Sequence, residues 1–272
     1  MIVPVSDFKA FESAGWADRA ATYDDLMGAV TARLTGPLLD AAGVTEGTRL
    51  LDAACGPGAL AAAAAARGAL PVGVDLAPGM VALAAERHPR LPFEEADAER
   101  LPFPDASFDA VTAGFLIHHL PEPERGVREF ARVLAPGGRL AATVWDRPER
   151  MRVIGLADDA MKRAGADTSG LPEGPDAFGF AEHREFAALL EDAGFTGVEV
   201  RAVGFTHRAS SAAELWRGLL GGTVRTTEQM RAQPPEVRER VEAAFAELAE
   251  AHRDGDGLAV PVAAVLASGR RG

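Results

Sequence analysis

The chain has a single cysteine, Cys55, among its 272 residues, and it therefore cannot form an internal disulfide. Positive charge is also scarce, because 28 lysines and arginines face 40 aspartates and glutamates and leave a formal net charge of −12. Nucleic-acid phosphates require a basic surface on the protein. We therefore expect a small molecule, and no nucleic acid, as the partner.

Long hydrophobic runs are absent as well. No stretch of about 18 or more apolar residues occurs, so the sequence predicts no membrane span and no membrane partner. Residues 1–8 do not combine a charged region with an apolar core, which predicts no secretory signal. These absences favour a cytoplasmic protein.

A complete G-x-G-x-x-G motif is missing too. Gly56 and Gly58 form a short Gly-x-Gly turn, but Ala61 occupies the place of the third glycine. A cradle for a dinucleotide pyrophosphate is therefore not expected, which counts against a nicotinamide dehydrogenase. Cys55 lies inside this turn without a basic neighbour in sequence, so we expect a packing residue rather than a nucleophile.

The chain does contain an apolar strand that runs into this glycine turn. Residues 49–54 are typical of a buried strand, and residues 59–67 of an alanine-rich helix whose first-turn N–H groups suit an anionic group. A second apolar strand, residues 71–75, ends at Asp75, 23 positions after Asp52. A ribose-binding carboxylate is expected at that spacing. The combination indicates a nucleotide-type cofactor site.

Strands and helices alternate along most of the chain, as a doubly wound α/β sheet requires. The length and the 47% hydrophobic content suffice for one such domain over residues 1–272. Gly137 and Gly138 are expected to form the turn into the fifth strand. The expected strands are 49–54, 71–75, 92–95, 108–114, 139–145, 197–207 and 258–268, and the expected helices between them are 59–67, 79–88, 122–134 and 181–193.

Five blocks of sequence follow one another along residues 45–146, namely 50–58, 72–80, 95–103, 108–120 and 132–140. In content and order they resemble the class I S-adenosylmethionine (SAM)-dependent methyltransferases, especially the small-molecule group that includes the ubiquinone/menaquinone-type enzymes. Ala54 departs from the family pattern, which usually has its first glycine there. The resemblance implies a Rossmann-like sheet of seven strands in the order 3-2-1-4-5-7-6.

The resemblance also implies a function. SAM would be the methyl donor and S-adenosylhomocysteine the product, with no metal. The acceptor would be a small, partly apolar metabolite that reacts through oxygen, nitrogen or carbon. Two alternatives with the same fold stay open, a SAM-binding protein that catalyses a cyclisation or pericyclic step and a non-catalytic SAM-binding partner.

The family pattern assigns roles to residues at the strand ends. Asp75 would accept hydrogen bonds from both ribose hydroxyls, and Asp97 from the adenine amino group. Tyr23 either reaches the methionine end of SAM or anchors the N-terminal segment as a core aromatic residue. The expected cofactor-binding residues are Tyr23, Asp52, Ala54, Gly56, Gly58, Asp75, Leu76, Met80, Asp97, Ala98, Gly114 and Phe115.

Two histidines follow the fourth expected strand. A methyl acceptor with an acidic proton needs a base, and an imidazole titrates near neutrality, so His118 or His119 is the candidate. Because adjacent residues point apart, we expect one of the two to serve and the other to be structural. Asp146, after the fifth strand, is expected to orient His119, as in some related enzymes.

The remaining segments are expected to flank residues 49–146, the SAM-binding core. Residues 1–48, with helical spacing over residues 11–39, would form a flap over the cleft. Residues 147–180 and 211–257 would form a lid, the second with amphipathic stretches at 212–220 and 235–252. The alternative is plain packing or a dimer surface, so a homodimer is a further possibility.

Overall fold

The computed structural model describes residues 5–272, with side chains from residue 7 onward. Residues 1–4 of the expected flap lie outside the described part. One sheet organises the chain, and its strands follow the order β3-β2-β1-β4-β5-β8-β6, with the short β7 paired to β8 beside this path. The strands are β1 (Arg49–Ala53), β2 (Leu70–Asp75), β3 (Phe93–Glu95), β4 (Phe108–Gly114), β5 (Leu134–Trp145), β6 (Phe195–Ala209), β7 (Arg253–Asp254) and β8 (Gly257–Arg271).

With β7 left aside, this is the order 3-2-1-4-5-7-6, and the expected Rossmann-like sheet is confirmed. Strands β1 to β5 run parallel, and β8 pairs antiparallel with both β5 and β6. The central strands are apolar because helices cover both faces of the sheet, and Leu50, Leu51 and Val111 are fully buried. The carboxyl ends of β1, β2 and β4 therefore meet at one edge, where such sheets bind ligands.

The helices are α1 (Val5–Arg19), α2 (Met27–Ala41), α3 (Ala59–Ala66), α4 (Pro78–Arg87), α5 (Pro123–Val133), α6 (Arg152–Ala164), α7 (His183–Asp192), α8 (Ala212–Gly222), α9 (Arg225–Ala232) and α10 (Pro235–Ala249). Helices α3, α4, α5 and α7 occupy the four expected positions between strands. Among residues 5–272, none of the helices is both long and apolar enough to cross a bilayer.

The N-terminal segment differs from the expected continuous helical spacing over residues 11–39. It forms two helices, α1 and α2, separated by a turn at residues 20–26. Thr22 and the acidic pair Asp24 and Asp25 lie in this turn, and such side chains compete with helical hydrogen bonds. The Thr22 hydroxyl donates to the Gly221 carbonyl (2.6 Å), which ties the turn to α8.

The fifth strand begins earlier than expected. β5 starts at Leu134, and its pairing with β4 is irregular between Leu134, which pairs with Phe108, and Arg139, which pairs with Ala110. Gly137, with φ of 77°, lies in this irregular part. The glycine pair thus forms a bulge inside β5 rather than a turn before it.

Helices α6, α8, α9 and α10, here called the cap, come from the two expected lid segments. α6 and α9 were not expected as helices. The glycines and prolines of residues 165–180 obscured α6, although Val153, Leu156 and Ala160 give it a helical apolar face. The cap has a buried apolar interior shared with β8, including Met151, Leu156, Trp216, Phe245 and Val260.

Replacement of Phe245 by alanine tests whether the cap and the sheet form one folding unit. Phe245 is fully buried, and its ring centroid lies 4.7 Å from that of Trp216. We expect Phe245→Ala to lower the free energy of unfolding by about 3–5 kcal/mol, with one transition in chemical denaturation followed by circular dichroism. Phe178→Ala, at the half-buried periphery of the same cluster, is the control with a smaller loss. Two transitions, only one of them shifted by Phe245→Ala, would contradict a single domain.

Candidate active site

A deep cleft opens at the carboxyl edge of the sheet. It encloses about 1330 Å³ of empty space, counting the part open to solvent. The sheet edge forms one side, and α1, α2 and the cap form the other.

The glycine turn after β1 shapes the floor of this cleft. Ala54, Gly56 and Gly58 all have left-handed backbone conformations, with φ of 59°, 51° and 85°. A Cβ on Gly58 would lie 2.8 Å from the Phe93 ring, so only glycine fits there. Gly56 has open space where a Cβ would be, so its backbone is accessible to a ligand.

Gly58 itself is not among the residues that line the cleft. It shapes the turn without facing a ligand.

Asp75 ends β2 beside this turn. Its Oδ2 accepts from the Gly56 N–H and its Oδ1 from the Ala77 N–H, both at 2.9 Å. Burial raises the pKa of Asp75, against these two hydrogen bonds. Each carboxylate oxygen keeps a further lone pair, so Asp75 both holds the turn and presents acceptor capacity to the cleft that it lines.

Asp52 lies deeper, in a smaller recess of about 580 Å³ next to the cleft. It is only 1% exposed, and its Oδ1 accepts from the Thr112 hydroxyl (3.2 Å). Its Oδ2 has no partner with hydrogen-bond geometry among the described residues, although the Ala61 N–H at the start of α3 interacts favourably with the carboxylate. Burial raises the pKa of Asp52 to about 7. Cys55 lines the same recess, and burial raises the pKa of its thiol, as expected for a packing residue.

Asp97, after β3, contacts two other groups of the protein, which the sequence did not predict. Its Oδ2 pairs with the Lys9 ammonium (2.6 Å), and its Oδ1 accepts from the Glu99 N–H (2.9 Å). Lys9 also pairs with Glu99 Oε2 (2.5 Å), whose side chain is fully buried. Leu76, Met80 and Ala98 line the cleft around this pair and leave an apolar slot.

His119 is paired with a carboxylate from α1. Its Nδ1 lies 2.9 Å from Glu12 Oε2, which also accepts from the Trp16 indole N–H (3.0 Å). Glu12 is 6% exposed. Burial raises the pKa of Glu12, but the electrostatic interaction with the His119 ring and the two hydrogen bonds outweigh the effect of burial, and the net pKa is lowered. Because a carboxylate only accepts, the neutral form of the ring would carry its hydrogen on Nδ1 and present Nε2 as an acceptor.

This pairing corrects the expected role of Asp146. Its Oδ1 accepts from the Arg147 N–H and its Oδ2 pairs with Arg150, both at 2.8 Å. Asp146 is not among the residues that line the cleft. The direction of the chain after β5 turns this carboxylate toward the following arginines, and Glu12 takes the place beside His119.

His118 also lines the cleft, which corrects the expectation that the two adjacent rings point apart. The ring centroids of His118 and His119 are 4.4 Å apart, because both residues lie in a short 3₁₀ turn, Ile117–His119. His118 is 2% exposed, and neither ring nitrogen has a partner among the described residues. Burial, and then the charge of His119, hold the pKa of His118 well below its usual range. His118 is therefore a neutral ring.

A pair of stacked aromatic rings lines the cleft. Phe115 has a left-handed conformation (φ of 56°) next to Gly114, and its ring stacks on Trp145 with centroids 3.8 Å apart. Tyr23 lines both cavities, and its hydroxyl lies 3.2 Å from that of Thr31. Burial raises the pKa of Tyr23 to about 12, so this hydroxyl stays protonated.

Three site residues on α1 were missed in the sequence. Lys9, Glu12 and Trp16 recur at spacings of three and four, which places them on one face of a helix. A face that combines a charge of each sign with an indole was a usable signal. Glu12 and Lys9 are far along the chain from His119 and Asp97, the residues that they contact. These pairings could therefore not be predicted from the sequence.

Comparisons with known proteins agree with this geometry. Residues 51–142 match the methyltransferase domain family. The demethylmenaquinone methyltransferase of Beutenbergia cavernae is 36% identical over 192 residues, which cover 64% of this chain and 78% of that relative. The 27-O-demethylrifamycin SV methyltransferase of Amycolatopsis mediterranei is 41% identical over 133 residues, 46% of this chain and 47% of that relative.

A solved structure shares the fold. Phosphoethanolamine N-methyltransferase 2 of Haemonchus contortus, in complex with S-adenosyl-L-methionine, has a TM-score of 0.53 and 18% identity, covering 88% of this chain and 53% of that chain. The sheet order, the glycine turn and the long match to the Beutenbergia relative agree with one another. This chain belongs to the class I SAM-dependent methyltransferases, in the group that includes the menaquinone-type enzymes.

Proposed function

We propose that the protein transfers the methyl group of SAM to a small, partly apolar acceptor that carries an acidic proton, such as a phenol or an enol. The observation that carries this proposal is the Glu12–His119 pair on the cleft wall. Membership of the methyltransferases is at odds with the nicotinamide dehydrogenase alternative. Two relatives are named as methyltransferases of demethylmenaquinone and of 27-O-demethylrifamycin SV. Their names support an acceptor of this general kind.

The residues present fit SAM. The unpartnered Oδ2 of Asp52 suits the methionine ammonium, and the open space at Gly56 suits close approach of a ligand to the backbone. Asp75 has lone pairs for the ribose hydroxyls, and the slot of Leu76, Met80 and Ala98 suits the adenine ring. When bound, SAM supplies an activated methyl group that needs no further electrophilic assistance.

We assign Asp97 to the adenine amino group and take its ion pair with Lys9 into account. Its Oδ2 is engaged with Lys9, and its Oδ1 accepts from a backbone N–H. Each oxygen accepts more than one hydrogen bond, so an adenine amino group can bind beside Lys9. We therefore infer that Lys9 borders the adenine end.

The protein's task in the transfer is to position the acceptor and to remove its proton. His119 accepts the proton at Nε2, while Glu12 orients the ring through Nδ1 and stabilises the charge that His119 gains. His118 is neutral and can donate or accept a hydrogen bond at the same wall.

The cap would enclose the acceptor. Ile154 of α6, Ala177 of the following loop, and Val224 before α9 line the cleft beside Trp16 and Trp145. These apolar groups exclude water from the reacting atoms, and residues 147–180 and 211–257 thus act as the covering segments.

Replacement of the proposed base tests this mechanism. We expect His119→Ala to lower turnover by roughly 10²–10⁴-fold with nearly unchanged SAM affinity, since general base catalysis contributes that much. Glu12→Gln should lower turnover less. The measurement is transfer of labelled methyl from SAM to a panel of phenols and enols of graded acidity, on which the loss should shrink as the acceptor becomes more acidic.

The exposed histidine His183 provides the matched control, because His183→Ala should keep parental turnover. Parental turnover by His119→Ala on every acceptor would mean that positioning alone drives transfer. Conversion of a substrate without label in the product and without release of S-adenosylhomocysteine would favour the cyclisation alternative.

The pKa of Asp52 predicts how cofactor affinity depends on pH. An ammonium ligand favours the ionised carboxylate, so a protein whose Asp52 has a pKa of about 7 must lose a proton when it binds below that pH. The dissociation constant of S-adenosylhomocysteine should therefore rise as pH falls from 7 to 5, by up to about tenfold per unit. Calorimetric titration measures this. Asp52→Asn should remove this contribution, and an identical pH dependence in that variant would exclude Asp52 from the ammonium site.

A further inference from the structure

The start of α9 contributes polar groups to the lining of the cleft. Arg225 is the first residue of α9, and Thr223, Val224, Arg225 and Thr226 all line the cleft. Val224 packs closely on α1, where a Cβ added to Gly15 would lie 2.3 Å from it. The first turn of α9 is thus fixed against the helix that carries Glu12.

Two cations line the cleft in the described part of the chain, and they differ in their partners. Lys9 is paired with Asp97 and with Glu99. Arg225 has no carboxylate within 4.0 Å among residues 5–272, and its one hydrogen bond goes to the Pro172 carbonyl (2.9 Å). The charge of Glu12 interacts with Arg225 only at longer range. Most of the guanidinium's five N–H donors remain available.

Thr226 gives a second, independent sign of a binding site. Thr226 is 7% exposed and lines the cleft. Its hydroxyl makes no hydrogen bond with any other residue in the described range. The hydroxyl oxygen is not one of the fully buried unpartnered atoms of the described residues, so it is accessible from the cleft. A ligand atom in the cleft can therefore form a hydrogen bond with it.

The backbone of the same turn adds further donors. Helix α9 starts without a side-chain cap at Val224, so the N–H groups of its first turn have no partner inside the helix. Together with the helix dipole they favour an anion at this end. A guanidinium, a hydroxyl and a helix N-terminus therefore converge on one corner of the cleft.

We propose that the first turn of α9 binds a carboxylate of the methyl acceptor, which makes the acceptor an apolar, ring-bearing hydroxy acid. This proposal rests on the proposed function, since the same molecule presents its acidic proton to His119. The guanidinium contributes one positive charge and the helix N-terminus about half of one. Since the negative charge of Glu12 is already nearby, these positive charges suit a ligand with one negative charge better than a ligand with two. A carboxylate therefore fits better than a phosphate monoester.

Matched ligands test the carboxylate site. A hydroxynaphthoic acid and its methyl ester are titrated calorimetrically into protein saturated with S-adenosylhomocysteine. The parent protein should bind the acid roughly 10- to 100-fold more tightly than the ester, the range for charge-assisted hydrogen bonds. Arg225→Met should abolish this preference by weakening acid binding alone, and Thr226→Val should reduce it several-fold. Arg231→Met, on the same helix but exposed and paired with Glu228, should leave the preference unchanged.

The ester and the cofactor report on folding, because unchanged affinity for both shows that a variant is intact. Equal binding of acid and ester by the parent, or an unchanged preference in Arg225→Met, would overturn the proposal. Tighter binding of the corresponding naphthyl phosphate than of the acid would overturn the assignment to a carboxylate. Labelled methyl transfer is measured on the same ligands. If the acid preference depends on Arg225 but no methyl is transferred, the result counts against the proposed function alone. If methyl is transferred equally to the acid and the ester, the result counts against the carboxylate site alone.

Discussion

The contact of Lys9 with Glu99 is the interaction on which the arrangement of the cleft depends. The Glu99 side chain is fully buried, and Lys9 supplies the opposite charge at 2.5 Å. Loss of one partner from a buried ion pair leaves an uncompensated charge and costs about 3–5 kcal/mol. Because Lys9 belongs to α1 and Glu99 follows β3, this pair holds α1 across the carboxyl edge of the sheet. The Ser13 hydroxyl adds a bond to the Leu76 carbonyl (3.0 Å) one turn farther along.

The position of α1 in turn determines the chemistry of the site. Glu12 and Trp16 lie on the same face of α1 as Lys9 and reach His119. Histidine and carboxylate come from opposite sides of the cleft, so the base is complete only while α1 covers the sheet edge. The same helix contacts the start of α9 through Gly15 and Val224. One helix therefore links the adenine end, the base and the proposed carboxylate site.

The sequence predicted what local patterns determine. The apolar strands that carry Asp52 and Asp75, with the glycine turn between them, predicted parallel strands and the edge at which these carboxylates meet, because the spacing of these residues reflects their geometry directly. The order of the strands was predicted only through the resemblance to the methyltransferases. The wrong assignments depended on contacts between distant segments. Asp146 follows its strand as expected, yet the chain turns it toward Arg147 and Arg150. Glu12 is separated from His119 by more than 100 residues, and no local pattern joins them. Helix α6 was not predicted, because the glycine-rich loop that follows it obscured its helical pattern of apolar residues.

The tautomer of His119 tests the central claim, that Glu12 on α1 orients this ring as a base. Nitrogen-15 NMR of protein labelled at its six histidines and bound to S-adenosylhomocysteine reports which ring nitrogen carries the hydrogen, and the resonances lost in His119→Asn identify the residue. We expect neutral His119 to carry its hydrogen on Nδ1 and to present a bare Nε2 to the cleft. A hydrogen on Nε2 with a bare Nδ1 would exclude His119 as the base, because His119 would then face the acceptor as a donor.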